Sequence, residues 1–542
     1  MTDSESIPTL LDEYLDRYFR SNPLTASLAG AEGFDDELGD FSADGFRTRE
    51  ADGERWLTRF EAVDDPDNND DAIDRDLVIA MLRGDRITAG WPGWRRDPAT
   101  YLGPVFSSLF NPFLHRLRPD AELVDSAVAR LRQVPDVLAA CRANLDPELA
   151  STLLVRRGLG QARAGRDFLT ASLPAEVADD ALRARLVEAA GPAADAFDET
   201  VTFLTDLAER ATGDWRMGEE RYSALLRDKE LLDVDAAGLH QRGLDAWAEL
   251  DAEMTELAGR VDGAGTDWRT VIDRLSDDYP PTVDAMREEY DEETERARKF
   301  LSEHGLVTLP DGETCRVVAS PNFQRPILAV AFYIAPPPLT ASRLGHFFVP
   351  YTPDGYTDQQ VRERLRSNSR PQLPTTSVHE AYPGHHWHLS WMAGTPHKVR
   401  RIFRTAYFAE GWALYAEKLM REQGYFTTPE QELAHLEARI FRAARIVADT
   451  ALHTMDMSVE QAVDYMSTKG TLNRETAAAE VNRYCAWPTQ APAYLTGCLE
   501  IERIREAYFA ADRGTLRNFN DQLAGSGSLP LGLARRAVLG TR

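Results

Sequence analysis

Apolar residues recur at three-and-four spacing over most of the chain, a pattern that predicts helix after helix. The opening segment "SIPTLLDEYLDRYFRSNP" carries it, with Ser6 placed to cap the helix and Pro8 in its first turn. "DAELVDSAVARLRQVPDVLAACRANL" (120–145), "PAADAFDETVTFLTDLAERA" (192–211) and "DVDAAGLHQRGLDAWAELDAEMTELAGRV" (233–261) read the same way. The pattern changes near residue 312, where "CRVVAS", "AVAFYIA" and "LGHFFVPYT" are β-rich runs around the turn-forming "PPPLTASR". Helical spacing then resumes to the end. The expectation is a mostly α protein, large and helical, with a small β-sheet just ahead of a histidine cluster. A helical N-terminal region over 1–300 precedes a second region over 301–542. No linker-like stretch marks that boundary, so one compact domain is the alternative. No repeat of 30–50 residues and no low-complexity segment interrupts the pattern.

Composition narrows the partners. The formal net charge is −27, which repels phosphate backbones and anionic lipid, so neither nucleic acid nor membrane is expected as a partner. The start, "MTDSESIPTLLDEYLDRYF", is acidic where a signal peptide is basic, and no run approaches the roughly 20 apolar residues that span a bilayer. Cys141, Cys315, Cys485 and Cys498 are scattered without zinc-site spacing, which predicts reduced, structural thiols. These features together predict a cytoplasmic protein.

The candidate chemistry lies in "HEAYPGHHWH", His379 to His388. A His-Glu pair opens the active-site helix of many zinc hydrolases, but the residue four on, where a second ligand would share the face, is Pro383. On an unbroken helix His385 would point roughly 120° away from His379, while His386 would nearly eclipse it. Pro383 and Gly384 disfavour an unbroken helix, and a kink or π-bulge there would rotate the histidines that follow. Spacing alone leaves His385 and His386 both open. A second segment, "YFAEGWALYAEKL", places Glu410 and Glu417 seven apart on one helix face. Glu410 sits among apolar neighbours, where a carboxylate needs a partner such as a metal; Glu417, beside Lys418, reads as a solvated helix charge.

"HEAYPGHH", "EGWALYAEKL", "RIVADTALH" and "EVNRYCAWPTQAPAYLTG" together resemble the motifs of the bacterial family catalogued as domain of unknown function 885. "SNPLTASLAG" and "LLDVDAAGLHQRGL" are similar to its N-terminal half, so the likeness spans the whole chain. That family is grouped with the gluzincin type of zincin metallopeptidase. The resemblance implies a zincin-like active-site helix, His379, His385 and Glu410 as zinc ligands, and Glu380 as general base. It departs at His388, where the family usually has Gln, and at Pro488-Thr489-Gln490-Ala491, where it usually has Pro-Gly-Gln-Ala.

Further roles follow from the chemistry such a site needs. Tyr494 is a candidate phenol donor to the oxyanion, and His453, one helical turn after Asp449, is a second donor that the carboxylate would orient. Arg483 is a candidate for a substrate carboxylate. The strand in "GHFFVPYT", with Phe347, offers an edge for an extended peptide, and Tyr333 and Arg343 flank the proline-rich turn beside it. The expected function is zinc-dependent hydrolysis of short peptides or exposed chain ends. A zinc amidase acting on a small non-peptide amide, or a metal-binding protein without turnover, are the alternatives.

Overall fold

The computed structural model describes residues 6–66, 68–321, 325, 330–353 and 355–540. Two compact units emerge: Met1–Met217 with Pro337–Ala341, and Gly218–Pro336 with Ser342–Arg542. The division therefore falls after Met217, and the expected boundary near residue 300 lies inside the continuous helix Val283–His304.

In the first unit the helices start and stop where local chemistry directs. Helix Ile7–Ser21 begins on Ser6, whose hydroxyl accepts the Thr9 N–H, and buries Leu10, Leu11, Tyr14, Leu15 and Phe19. Segment 120–145 splits into Asp120–Leu131 and Val134–Asn144, the latter with a proline in its first turn. Segment 192–211 is the latter part of helix Asp180–Arg210, which Asp179 caps and which packs on helix Thr152–Asp167.

The second unit holds the sheet and every candidate site residue. Strand β1 (Thr314–Ala319) runs parallel to β3 (Leu344–Val349), and β2 (Phe332–Ile334) runs antiparallel to it, in the order β1-β3-β2. All three β-rich runs form strands, but β3 is the central one. Its two edges are taken by Val317↔Phe347 and Tyr333↔Phe347 pairing, so it offers no edge to a peptide. Phe347 itself is fully buried against Tyr290 and belongs to the core, not to a binding surface.

Helix Val283–His304 packs on β1 and β3, and after the sheet the chain continues through helices Leu373–Glu380, His385–Met392, Ala406–Glu422, Pro429–Thr454, Arg474–Ala486 and Ala493–Ala510. Helix Ala236–Asp262 packs along Pro429–Thr454. Helices Ala406–Glu422 and Ala493–Ala510 meet backbone to backbone at Gly411 and Gly497. A Cβ on Gly497 would lie 1.9 Å from the Tyr407 carbonyl oxygen and 2.8 Å from the Gly411 Cα. No described helix is long and apolar enough to cross a membrane. The four cysteines are free, with Cys141, Cys485 and Cys498 buried.

This crossing sets the distance between Glu410 and Tyr494, which lie on the two helices. Gly497→Ala should force them apart and cost about 1–3 kcal/mol of stability or more, as overpacking does. Denaturant unfolding checks it, and an unchanged midpoint would mean that the crossing relaxes freely.

Candidate metal centre

The His-Glu helix does not bend; it stops. Helix Leu373–Glu380 ends one residue after His379, residues 381–384 leave the helical path, and a new helix begins at His385. The expected kink or π-bulge is thus a complete break, with a cis Tyr382–Pro383 peptide inside it. Gly384 is required by space: a Cβ there would lie 1.9 Å from the His379 carbonyl oxygen and 2.2 Å from that of Val378. Trp412 Nε1 donates to the Pro383 carbonyl at 2.8 Å and ties the break to the helix that carries Glu410.

The break brings three side chains to one point. Donor atoms of His379, His385 and Glu410 all lie within 4.8 Å of one another. Glu410 Oε2 is 3.2 Å from His385 Nε2 and 3.7 Å from His379 Nε2. Two imidazoles and one carboxylate, mostly buried, are a donor set that zinc accepts in open sites. The spacing suits one ion within reach of all three, so the residues fit the metal that the sequence resemblance implies. Burial opposes the charge on Glu410, but the two imidazoles hold its carboxyl well below the usual range.

Glu417, read from sequence as a solvated charge, is fully buried. Its Oε1 accepts from His379 Nδ1 at 2.7 Å, and His435 Nδ1 lies 3.4 Å from its other oxygen. Because a carboxylate only accepts, Nδ1 of His379 carries a proton, and Nε2 is the nitrogen turned toward Glu410 and His385; against its burial, Glu410 and Glu417 raise the imidazole to about 9. The seven-residue spacing from Glu410 contained this contact; the neighbouring Lys418 obscured it. Lys418 in fact reaches outward to Glu502 at 2.7 Å.

The remaining histidines of the cluster are occupied or neutral. His386 is fully buried, with Nε2 on Glu313 at 2.8 Å and Nδ1 on the Tyr333 hydroxyl at 2.9 Å. Glu313 also accepts from Tyr382 and, at 2.8 Å, from Arg298, and these bonds pull its carboxyl down to about 2 against its burial. Tyr333 therefore serves this buried network. His388, where the sequence resemblance expects Gln, lies 5.1 Å from the Phe408 ring and 5.7 Å from that of Trp412. Burial depresses it to about 3, so it packs as a neutral ring.

Glu380 follows His379 directly and is 7% exposed. Burial pushes its carboxyl up, while the imidazoles of His379 and His385 pull it down. Tyr494 reaches the same place from helix Ala493–Ala510: its ring stacks toward His379 at 6.4 Å, and Gln490 Nε2 donates to its hydroxyl at 3.4 Å.

Four other expected residues are held elsewhere. Arg483 Nη2 bonds Glu480 at 2.9 Å and Nη1 bonds Gln490, so its fork is spent on the fold. Arg343 donates to the carbonyls of Ser342 and Ala393. His453 is buried and donates from Nε2 to the Tyr484 carbonyl at 3.0 Å, which removes that nitrogen as an oxyanion donor. Asp449 accepts from the Tyr222 hydroxyl at 2.6 Å and from the Thr489 N–H at 3.2 Å, and burial pushes its carboxyl up to about 7. Thr489 stands at φ 70°, a left-handed conformation that suits the glycine expected there and costs a β-branched residue roughly 1–3 kcal/mol. Asp449 thus pins the turn that delivers Gln490 to Arg483 and Tyr494.

Comparison with known proteins agrees on fold and is silent on chemistry. A solved structure from Colwellia psychrerythraea, described as a "putative lipoprotein", superposes with a TM-score of 0.81 at 19% identity, covering 99% of each chain. A "putative lipoprotein of unknown function" from Shewanella oneidensis superposes with a TM-score of 0.79 at 22% identity, covering 99% of this chain and 100% of that one. At such identities the likeness establishes a shared fold. No curated protein matches the sequence. A family profile does match, over residues 23–538, and the chain belongs to that family, described as bacterial protein of unknown function (DUF885).

Proposed function

We propose that this protein is a zinc-dependent hydrolase of the gluzincin type that cleaves amide bonds in short peptides or exposed chain ends. The observation that carries the reading is the convergence of His379, His385 and Glu410 with a buried carboxylate, Glu380, next in sequence to one of them. A structural zinc site closes all four positions with protein donors and needs no base beside it. Zinc held there supplies Lewis-acid polarisation of a carbonyl and lowers the pKa of water.

The chain's own residues supply the rest. Glu380 accepts a proton from the attacking water as its oxygen bonds to the carbonyl carbon. The same carboxyl returns the proton to the leaving nitrogen when the C–N bond breaks, giving a carboxylate and an amine. Tyr494 donates its phenol to the carbonyl oxygen as negative charge builds there. Glu417 holds the His379 ring in one tautomer and orientation throughout. Side-chain exposures of 7%, 14% and 21% for His379, His385 and Glu410 favour small or extended substrates over folded ones. A non-peptide amide would meet the same groups. The sequence reading expects the cytoplasm, whereas the two structural neighbours are described as "putative lipoproteins", which favours a membrane-anchored location for the same chemistry.

Metal analysis should find about one zinc per chain, lost in His379→Ala, His385→Ala or Glu410→Ala and retained in His386→Ala. Glu417→Gln should weaken zinc binding by about 10- to 100-fold, as loss of an orienting partner does. Full zinc affinity in Glu417→Gln would reduce that glutamate to packing.

Glu380→Gln should keep the metal and the melting temperature but lose most peptide hydrolysis, since an amide accepts no proton near neutrality. Turnover close to wild type would remove Glu380 as the base. Tyr494→Phe should lower kcat by roughly 100- to 1000-fold with little change in KM or zinc content. An unchanged kcat would exclude the phenol from the reaction.

A further inference from the structure

Helix Pro429–Thr454 lines the metal centre with one stripe of residues, and the charges on it are not equally satisfied. His435 touches Glu417, the partner of His379, at 3.4 Å. Arg445 lies over the ring of Tyr494, 4.8 Å from its centre, and that ring in turn stacks toward His379. Arg442 stands between them, two turns after His435 and on the same helix face. Both ends of the stripe therefore abut groups of the site, and Arg442 faces the interval between them. Its charge bears on those of Glu417 and Glu410, and on that of Glu380.

The arginines on either side of Arg442 have carboxylate partners. Arg439 pairs with Glu502 at 3.5 Å, and Arg445 pairs with Glu480 at 2.7 Å. Arg442 donates from Nη1 to the Ala438 carbonyl at 2.9 Å, one turn back on its own helix. Its buried Nε has no hydrogen-bond partner. Among the described residues no carboxylate forms an ion pair with it. A guanidinium taken partly out of water, with donors to spare, calls for an anion. In a chain of net charge −27 a guanidinium with spare donors beside the candidate site also selects what enters.

We infer that Arg442 is the substrate-carboxylate anchor of the site, and that the preferred substrates are short peptides with a free C-terminal carboxylate. This rests on the hydrolase reading above and narrows it to exopeptidase action from the C-terminus. Arg442 takes the place that the sequence assigned to Arg483, whose donors Glu480 and Gln490 occupy. The anchor holds the carboxylate by charge-assisted hydrogen bonds and so fixes the scissile bond relative to Glu380.

The test is equilibrium binding to the full-length, zinc-loaded Glu380→Gln protein by calorimetry, with zinc content and melting temperature measured on each sample. Three probes are compared: acetyl-Ala-Phe, its C-terminal amide, and acetyl-Ala-Glu-amide, which carries its carboxylate on a side chain. The free acid should bind about 10- to 100-fold more tightly than either amide, the range of one charge-assisted pair. Arg442→Gln in the same background should remove that preference and leave binding of the amides unchanged, while Arg442→Lys should keep part of it. Equal binding of acid and amide, no binding of the acid, a preference for the side-chain carboxylate, or an equal loss for all probes in Arg442→Gln would each overturn the assignment. Peptide hydrolysis by the wild-type protein is scored separately. Discrimination without turnover would sink the hydrolase reading and keep the anchor; turnover without discrimination would do the reverse.

Discussion

A carboxylate removed from water costs several kcal/mol unless a cation or a set of donors meets it. Three carboxylates bear directly on the histidines of the candidate site: the side chains of Glu313 and Glu417 are fully buried, and that of Glu410 is 21% exposed. Imidazoles meet all three. Those bonds sort the histidines of the cluster into different tasks. Glu417 takes one nitrogen of His379 and leaves the other for the site. Glu313 and Tyr333 take both nitrogens of His386 and turn that ring into the interior. Glu410 faces His379 and His385 together, and these are the three donors that the proposed zinc would share.

The backbone makes this sorting possible. Adjacent histidines on one helix diverge by about 100°, so an intact helix could not put His379 and His385 together while sending His386 to Glu313. The break at 381–384 resets the phase, and Gly384 permits it because a side chain would collide with the carbonyls that end the first helix. The same economy of space recurs where Gly411 meets Gly497, bringing the helices of Glu410 and Tyr494 together. Glycines here set distances between reactive groups.

Most of the architecture could be read from periodicity. Helical segments, the cap at Ser6 and three short strands are local features, set by residues within a turn or two of one another. Strand order was not legible, because "GHFFVPYT" reads the same as an edge or a centre strand, and its neighbours decide which it is. His379, His385, Glu410 and Tyr494 come together as their motifs imply. Arg483, Asp449 and His453 lie close by in sequence but are bonded to Glu480, Tyr222, Thr489 and Tyr484. Those partners sit on other elements or other turns, and no spacing rule reports them. Glu417 and Arg442 escape a sequence reading for opposite reasons. Glu417 has a charged neighbour in sequence yet is buried. Arg442 is one arginine among several on its helix, and only the fold shows that it bonds a carbonyl where its neighbours bond carboxylates.

In the proposed reading His379, His385 and Glu410 form one open metal site ordered from behind by Glu417. Anomalous diffraction at the zinc edge, from crystals grown with one equivalent of zinc, tests it most directly. A single strong peak is expected ~2.0–2.2 Å from Nε2 of both histidines and from a Glu410 oxygen, with a further coordination position left to water. A peak at His386, His388 or His435, or a site closed by a fourth protein ligand, would contradict it.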